Sequence, residues 1–300
     1  MSDLIETEQP SVKAERESFL DDSNLGNLEA LATTGQKSCI LTYHEILPEN
    51  STYIYRVTNS VFEKHLSFVS SLRKKSSAEV VPQITFDDGH RSNYENAFPL
   101  LERFGVKAIF FVLAGGVGTN ANYFRWEQAR DLASAGHRIA SHGWSHRMLT
   151  QCSSPELDQE LSQSKREIED RLGVEVHSIS APGGRWDERV VHACIRAGYK
   201  YLFHSNPWVP VSPRIDIRLQ GRHMVTRRTD SQQLRKLMQM SGAERRYLRA
   251  RYAAKERVRL ILGDQLYHKL WCWIANWNPG EGMELEVEGR ANANGESKSK

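Results

Sequence analysis

The chain has 300 residues, a formal net charge of +3 and a hydrophobic content of 39%. That length admits one large domain or two small ones, and the near-balanced charge supplies no general pull toward nucleic acid or membrane, so no nucleic-acid partner is expected. Four scattered cysteines, Cys39, Cys152, Cys194 and Cys272, form no C-x-x-C pair, which argues against a zinc knuckle or a redox motif.

Residues 1–36 are polar and acidic and predict a flexible lead. They hold no apolar leader segment, and no apolar run in the chain is long enough to span a bilayer. A cytoplasmic or membrane-peripheral location is therefore expected. A domain over 37–230 opens with a strand, Cys39–Tyr43, ending at His44. Val61, Phe62, Leu66, Val69 and Leu72 follow at helical spacing. Val80, Val81, Ile84 and Phe86 predict a short buried strand that runs into Asp87, Asp88 and Gly89. A helix over 96–104 stops at Gly105, and a strand follows over 107–112. The glycines of 115–118 lack the spaced Gly-Lys-Ser/Thr of a phosphate loop and read as a loop. A helix over 125–135, capped by Gly136, leads into a strand ending near His142. Ser154 and Pro155 open a long amphipathic helix to Leu172, stopped by Gly173. A strand at 178–180 enters a glycine-rich turn, then come a helix over 189–197 and strands over 199–203 and 222–227. Strands alternating with helices indicate a mostly parallel α/β architecture.

Two of these strand ends carry chemistry. Adjacent carboxylates repel unless a cation or a shared proton relieves them. Asp87 and Asp88 taken alone favour the reading of a solvated Asp-Asp-Gly turn. His142 and His146, at i and i+4, can hold one metal ion through imidazole nitrogens, although an arbitrary H-x-x-x-H pair is more often bare surface. Both motifs close strands in one alternating chain, where sites collect at the C-terminal strand ends. Asp88, His142 and His146 would then make an open two-histidine, one-carboxylate site of the catalytic kind. His44 closes a strand too, and reads as a pocket residue or a core histidine.

Thr85-Phe-Asp-Asp-Gly89 and His142-Gly-Trp-Ser-His146 resemble the first two motifs of the polysaccharide deacetylase family (the NodB-homology domain, carbohydrate esterase family 4). Leu41-Thr-Tyr-His44, Lys107–Val112, the stretch from Trp126 to His137 and Ser180-Ala-Pro-Gly-Gly-Arg-Trp186 resemble its opening strand, second core strand, pre-histidine run and third motif. The resemblance implies an irregular, incomplete (β/α) barrel of about seven strands. It implies metal-dependent removal of an acyl group from an amino-sugar nitrogen. Asp88, His142 and His146 would hold the ion, zinc above nickel or cobalt, with Asp87 as general base. Pro182, Gly183, Gly184 and Trp186 would line the substrate site, a backbone N–H of that motif facing the oxyanion. Trp186 and Trp208 read either as sugar-stacking or as core aromatics. Two departures stand out. Family members often carry, at the start of the third motif, an arginine that steers the catalytic aspartate. Ser180 stands there, with Arg185 as a nearby substitute. The late Leu-x-His motif that supplies the acid is not evident; His223 is the nearest candidate and is not assigned.

Residues 231–278 predict a helical extension, basic from Arg235 to Arg259 and then aromatic, with Trp271, Trp273 and Trp277. Packing of its aromatic face on the barrel is the preferred reading, and weak peripheral adsorption to an anionic membrane the alternative. Residues 279–300 predict a disordered tail. The expected partner is an acylated carbohydrate, as a poly- or oligosaccharide or a lipid- or nucleotide-linked precursor. Alternatives are the same chemistry on an O-acetyl ester, a formamido sugar or a small cyclic amide, and a non-catalytic glycan-binding module.

Overall fold

The computed structural model of the chain describes residues 39–74, 82–208, 213–214, 216–239 and 241–275. The described residues all belong to one compact unit, Cys39–Lys300. The predicted lead (1–36) and tail (279–300) lie outside the described residues, as do Val80, Val81 and Trp277 and the side chains of Trp271 and Trp273.

The buried apolar runs become strands. β1 is Cys39–Tyr43. β2 (Glu45–Leu47) and β3 (Arg56–Thr58), which the sequence did not signal, pair in a small parallel sheet of their own. Helix α1 (Asn59–Arg73) starts where Thr58 Oγ1 accepts from Val61 N, and it buries Phe62, Leu66, Phe68 and Val69. Then come β4 (Pro82–Phe86), a wide helical turn over Asn93–Ala97, and α2 (Phe98–Phe104), closed by left-handed Gly105. β5 (Ala108–Val112), α3 (Trp126–Ser134), β6 (Arg138–Ser141) and α4 (Ser154–Leu172) follow. A Ser153–Glu156 capping box opens α4 and left-handed Gly173 ends it. β7 (Ser178–Ser180), α5 (Glu188–Arg196), β8 (Tyr201–His204), β9 (Pro213–Arg214), β10 (Ile217–Gly221) and β11 (His223–Met224) complete the barrel segment. Beyond it are α6 (Ser231–Gln239) and α7 (Gly242–Ala275), the latter broken at Gly263. No described helix is long and apolar enough to cross a membrane.

The main sheet runs β11-β1-β4-β5-β6-β7-β8-β10-β9, and only the β9–β10 pair is antiparallel. β10 pairs with β8 at one end of this order and β11 with β1 at the other, yet only Arg222 separates β10 from β11. The sheet therefore curls until its ends nearly meet, a nearly closed barrel of seven parallel strands with short β11 at the seam. This is the irregular barrel expected from the resemblance. Of the single strand expected over 222–227, only the two residues of β11, His223 and Met224, form. At Arg222 the chain leaves the β8 edge, where its N–H donates to His204 O (2.9 Å), and by Val225 it has joined β1, donating to Thr42 O (2.8 Å).

Alternation along the strands divides two interiors. Phe86 and Phe110 stack at 4.9 Å in the layer that also holds Tyr43 and Phe62. One residue further, Phe111 turns the other way, 4.9 Å from Phe203 and beneath Arg222. That second interior is partly polar: Thr42 and Thr85 share a hydrogen bond at 3.1 Å.

Candidate active site

Asp88, His142 and His146 converge at the C-terminal ends of β4 and β6, one ligand atom from each lying within 4.8 Å of the others. Asp88 Oδ1 is 3.3 Å from His142 Nε2 and 3.5 Å from His146 Nε2. Asp88 and His146 adopt left-handed backbone, with φ of 75° and 65°. This is the device that turns Asp88, the direct neighbour of Asp87, into the same pocket rather than to the opposite face.

A metal ion fits this cluster. His142 Nδ1 donates to Ser180 O at 2.9 Å, which leaves Nε2 with its lone pair facing Asp88. Asp88 Oδ1 is buried without a hydrogen-bond partner. Burial alone would raise the Asp88 carboxyl, but the imidazoles of His142, His44 and His146 reverse that and hold it below the usual carboxylate range. Burial pushes His146 down to about 4, which keeps it neutral and able to ligate. His142 is opposed by burial and drawn upward by Asp87 and Asp88. The pocket thus calls for a positive charge, and a cation can supply it in place of a proton.

Asp87 is held differently. Arg222 Nη1 donates to its Oδ1 at 2.7 Å and Nη2 to its Oδ2 at 2.8 Å, a bidentate pair. Arg222 Nη2 also donates to Ser180 Oγ at 2.6 Å, and Ser180 Oγ to Asp87 Oδ2 at 3.2 Å. The guanidinium is wholly buried between the rings of Phe111 and Phe203, 5.2 and 5.8 Å from their centroids. Burial would raise Asp87, but Arg222 foremost, then His142, hold it below the ordinary range. The arginine that Ser180 replaces therefore comes from the barrel seam. Arg185, the substitute suggested by the sequence, is directed to Met148 Sδ at 3.5 Å instead.

The histidine loop has its own clamp. Glu160 of α4 is 6% exposed and accepts from Trp144 N (2.8 Å) and Ser145 N (3.0 Å) through Oε2, and from Ser145 Oγ (2.5 Å) through Oε1. It fixes the backbone between the two histidines. No motif marks it, although Leu157, Glu160, Leu161, Ser164 and Ile168 share the buried face of α4, an unusual place for a carboxylate.

His44, at the end of β1, is 5% exposed and stacks on Tyr55 at 4.7 Å. Asn93 Nδ2 donates to His44 O (2.6 Å), and His44 acts on both Asp87 and Asp88 electrostatically. His223 instead meets Trp208 edge-on at 5.3 Å, which gives Trp208 a packing role. Pro182, Gly183 and Gly184 form a tight turn after β7. A Cβ at Gly184 would lie 1.8 Å from Ser205 Oγ, so no other residue fits there. Ala181 N and Gly184 N are committed to Phe203 O and Ala181 O, and neither is free to meet an oxyanion. Trp186 is half-buried, its ring 5.7 Å from that of His204.

Comparison with known proteins agrees with this geometry. Residues 73–202 match the family model "Polysaccharide deacetylase". The chain is 30% identical over 183 residues to "Putative polysaccharide deacetylase YxkH" of Bacillus subtilis (strain 168), covering 56% of this chain and 64% of that protein. It is 27% identical over 197 residues to "Peptidoglycan-N-acetylglucosamine deacetylase PgdA" of Listeria monocytogenes, covering 61% and 41%. The chain thus spans less than two thirds of the length of either relative. The fold is shared with Streptococcus pyogenes deacetylase PplD, at a TM-score of 0.60 and 22% identity over 67% of this chain and 98% of that one. With the seven-stranded barrel and the two aspartate and histidine motifs at its C-terminal rim, these matches show a polysaccharide deacetylase domain over residues 73–202.

Proposed function

We propose that this chain is a metal-dependent hydrolase that removes an N-acetyl group from an amino sugar, in a polymer, an oligosaccharide or a linked precursor. The observation that carries the reading is a carboxylate locked by Arg222 beside a His-His-Asp cluster in one pocket. Binding a glycan requires neither a base nor a ligand set. The catalytic domain is inferred over 37–230, with 231–278 as its helical extension.

Asp88, His142 and His146 would hold one divalent ion, with zinc favoured by the donor set and nickel or cobalt as alternatives. When bound, the ion supplies Lewis-acid polarisation of the acyl carbonyl and raises the acidity of an attacking water. Asp87 takes the proton of that water. A carboxylate has about four lone-pair sites, so the bonds from Arg222 and Ser180 leave Asp87 room for it. Arg222 and Ser180 fix the rotamer, so the base is aimed before substrate arrives. His44, on the neighbouring strand end, would return a proton to the departing amine. Pro182, Gly183, Gly184 and Trp186 would form the sugar-facing turn.

Metal analysis of purified protein, joined to acetate release from a panel of N-acetylated, N-formylated and O-acetylated sugars, tests this. Near-stoichiometric metal with preferential N-acetyl turnover is expected. Asp88→Ala, His142→Ala and His146→Ala should each lower the metal content and abolish turnover. Preference for the ester would move the function to an esterase. Sugar binding without any release would make the chain a binding module.

A further inference from the structure

Among the described side chains, helix α7 is fixed to the barrel along one side. Tyr252 Oη donates to Ser205 O at 2.7 Å, just past the end of β8, and Leu248 and Lys255 on the same side are half-buried. The opposite side faces solvent. At about 100° per residue, Tyr247, Ala254, Val258 and Ile261 fall in a stripe about 60° wide. Tyr247 is 68% exposed, Val258 43% and Ile261 82%. Exposed Arg251 borders the stripe on one side, and exposed Arg246 and Arg257 border it on the other. Glu244, at the helix start, has its carboxylate engaged by Ser241 N and Oγ, both at 2.8 Å. Past the break at Gly263 (φ 72°, ψ 163°), Leu266 and Leu270, four residues apart, again share an exposed face.

We propose that this face of α7 is a docking surface for a bilayer rich in anionic lipid, on which the helix lies in the headgroup plane. Three features select this occupant. An aliphatic and aromatic ridge between arginines matches a surface that is apolar below and anionic above, and arginine stems can bury while their heads stay among phosphates. A second copy of the chain would set Arg246, Arg251 and Arg257 against their own counterparts, which like-charge repulsion opposes. A soluble polyanion would meet the arginines but leave Ile261 and Tyr247 in water. The helix lies on the membrane rather than across it, since no described helix is long and apolar enough to cross one. Docking does not depend on the chemistry proposed for the pocket. Where that chemistry holds, the Tyr252–Ser205 bond sets the barrel rim about one helix diameter, roughly 10 Å, from the lipid.

Sedimentation of the full chain with phosphatidylcholine vesicles, with and without phosphatidylglycerol, tests the proposal at low and high salt. Binding to the anionic vesicles alone, weakening as salt rises, is expected. Arg246→Gln and Arg257→Gln should each weaken it about fivefold at low salt. Val258→Asp with Ile261→Asp should abolish it while leaving turnover of a soluble substrate unchanged. Ile261→Trp supplies a second readout should the aspartates impair folding: its emission should shift to the blue with anionic vesicles relative to the parent chain. Equal or negligible binding to both vesicle types, with no such shift, overturns the proposal. So does binding that survives the aspartates and is displaced by polyphosphate, which marks a soluble polyanion site. A dimer dispersed by the aspartates would likewise overturn it in favour of an interface between copies.

Discussion

Arg222 and Asp87 stand 135 residues apart in sequence and meet through two hydrogen bonds inside the barrel, at 2.7 and 2.8 Å. The pair is wholly protein-enclosed: Arg222 is 0% exposed and Asp87 3%. Removing one partner strands a buried charge, at a cost of about 3–5 kcal/mol. Arg222→Met should therefore lower the urea unfolding midpoint sharply. Joining it to Asp87→Asn should recover much of that loss, because the stranded charge is gone. Moving the guanidinium back, with Ser180→Arg and Arg222→Ser together, should recover more activity than Arg222→Ser alone. Additive losses in these double variants would refute the pairing as the source of either effect.

Asp87→Asn keeps the size of the side chain but cannot accept a proton. It should retain wild-type metal content and lose about 10²–10⁴-fold in kcat. Parallel metal analysis and single-turnover kinetics check this. Near-wild-type turnover with normal metal would assign the base elsewhere.

His44 is proposed to protonate the leaving amine, so its importance should depend on the leaving group. His44→Ala should lose about 10²-fold or more on an N-acetyl amide and little on 4-nitrophenyl acetate, whose phenolate leaves without help. Equal losses on both substrates would give His44 a structural or ligand-orienting role.

Glu160→Gln keeps the contact surface of the clamp but replaces one carboxylate oxygen with a donor facing donors. Outer partners of a metal site typically contribute about 10–100-fold in affinity. Weaker metal binding of that order, measured by chelator competition, is expected with little change in kcat once the site is saturated. Unchanged affinity would leave Glu160 a purely structural bond.

His137 carries a pH dependence of stability. Its Nδ1 accepts from Ala108 N at 3.1 Å, and its Nε2 faces Glu102 at 3.0 Å, so the ring is neutral in the folded chain. Burial, then Lys107, lowers it to about 4 from an ordinary 6.5. The unfolded chain therefore binds the extra proton between those values. The stabilisation is complete above pH 6.5 and is lost as pH falls toward 4, by at most about 3 kcal/mol. Urea midpoints across that range should fall less steeply for His137→Gln than for the wild-type chain; identical slopes would exclude the effect.

What the sequence discloses and conceals follows from locality. Asp87, Asp88, His142 and His146 sit in short motifs at strand ends, and alternation of strand and helix already implies that such ends share a rim. The strands over 39–43 and 178–180 are legible because apolar residues cluster between turn signals. Arg222 is not legible. Its role exists only because the chain switches sheet edges at that residue, and a lone arginine between two short strands gives no local sign of this. Glu160 was open to reading, since it lies on the apolar stripe of its helix, but its partner loop could not be known without the packing of α4 on β6. The π-type turn at Asn93–Ala97 and β2 are tied to each other, Asn93 Nδ2 donating to His44 O and Asn96 Nδ2 to Ile46 O, rather than set by any periodicity of their own.

Two of the three proposed ligands, Asp88 and His146, occupy left-handed backbone at φ of 75° and 65°. Such conformations cost residues with a Cβ about 1–2 kcal/mol each relative to glycine. Asp88→Gly releases that strain and deletes a buried carboxylate whose Oδ1 makes no hydrogen bond. In chelator, the glycine chain should melt later than its parent while having nowhere to hold an ion. A mutant library screened for heat tolerance alone would consequently drift toward glycine at position 88. Any programme that hardens this scaffold has to select for bound metal at the same time, or it will breed durable, inert barrels.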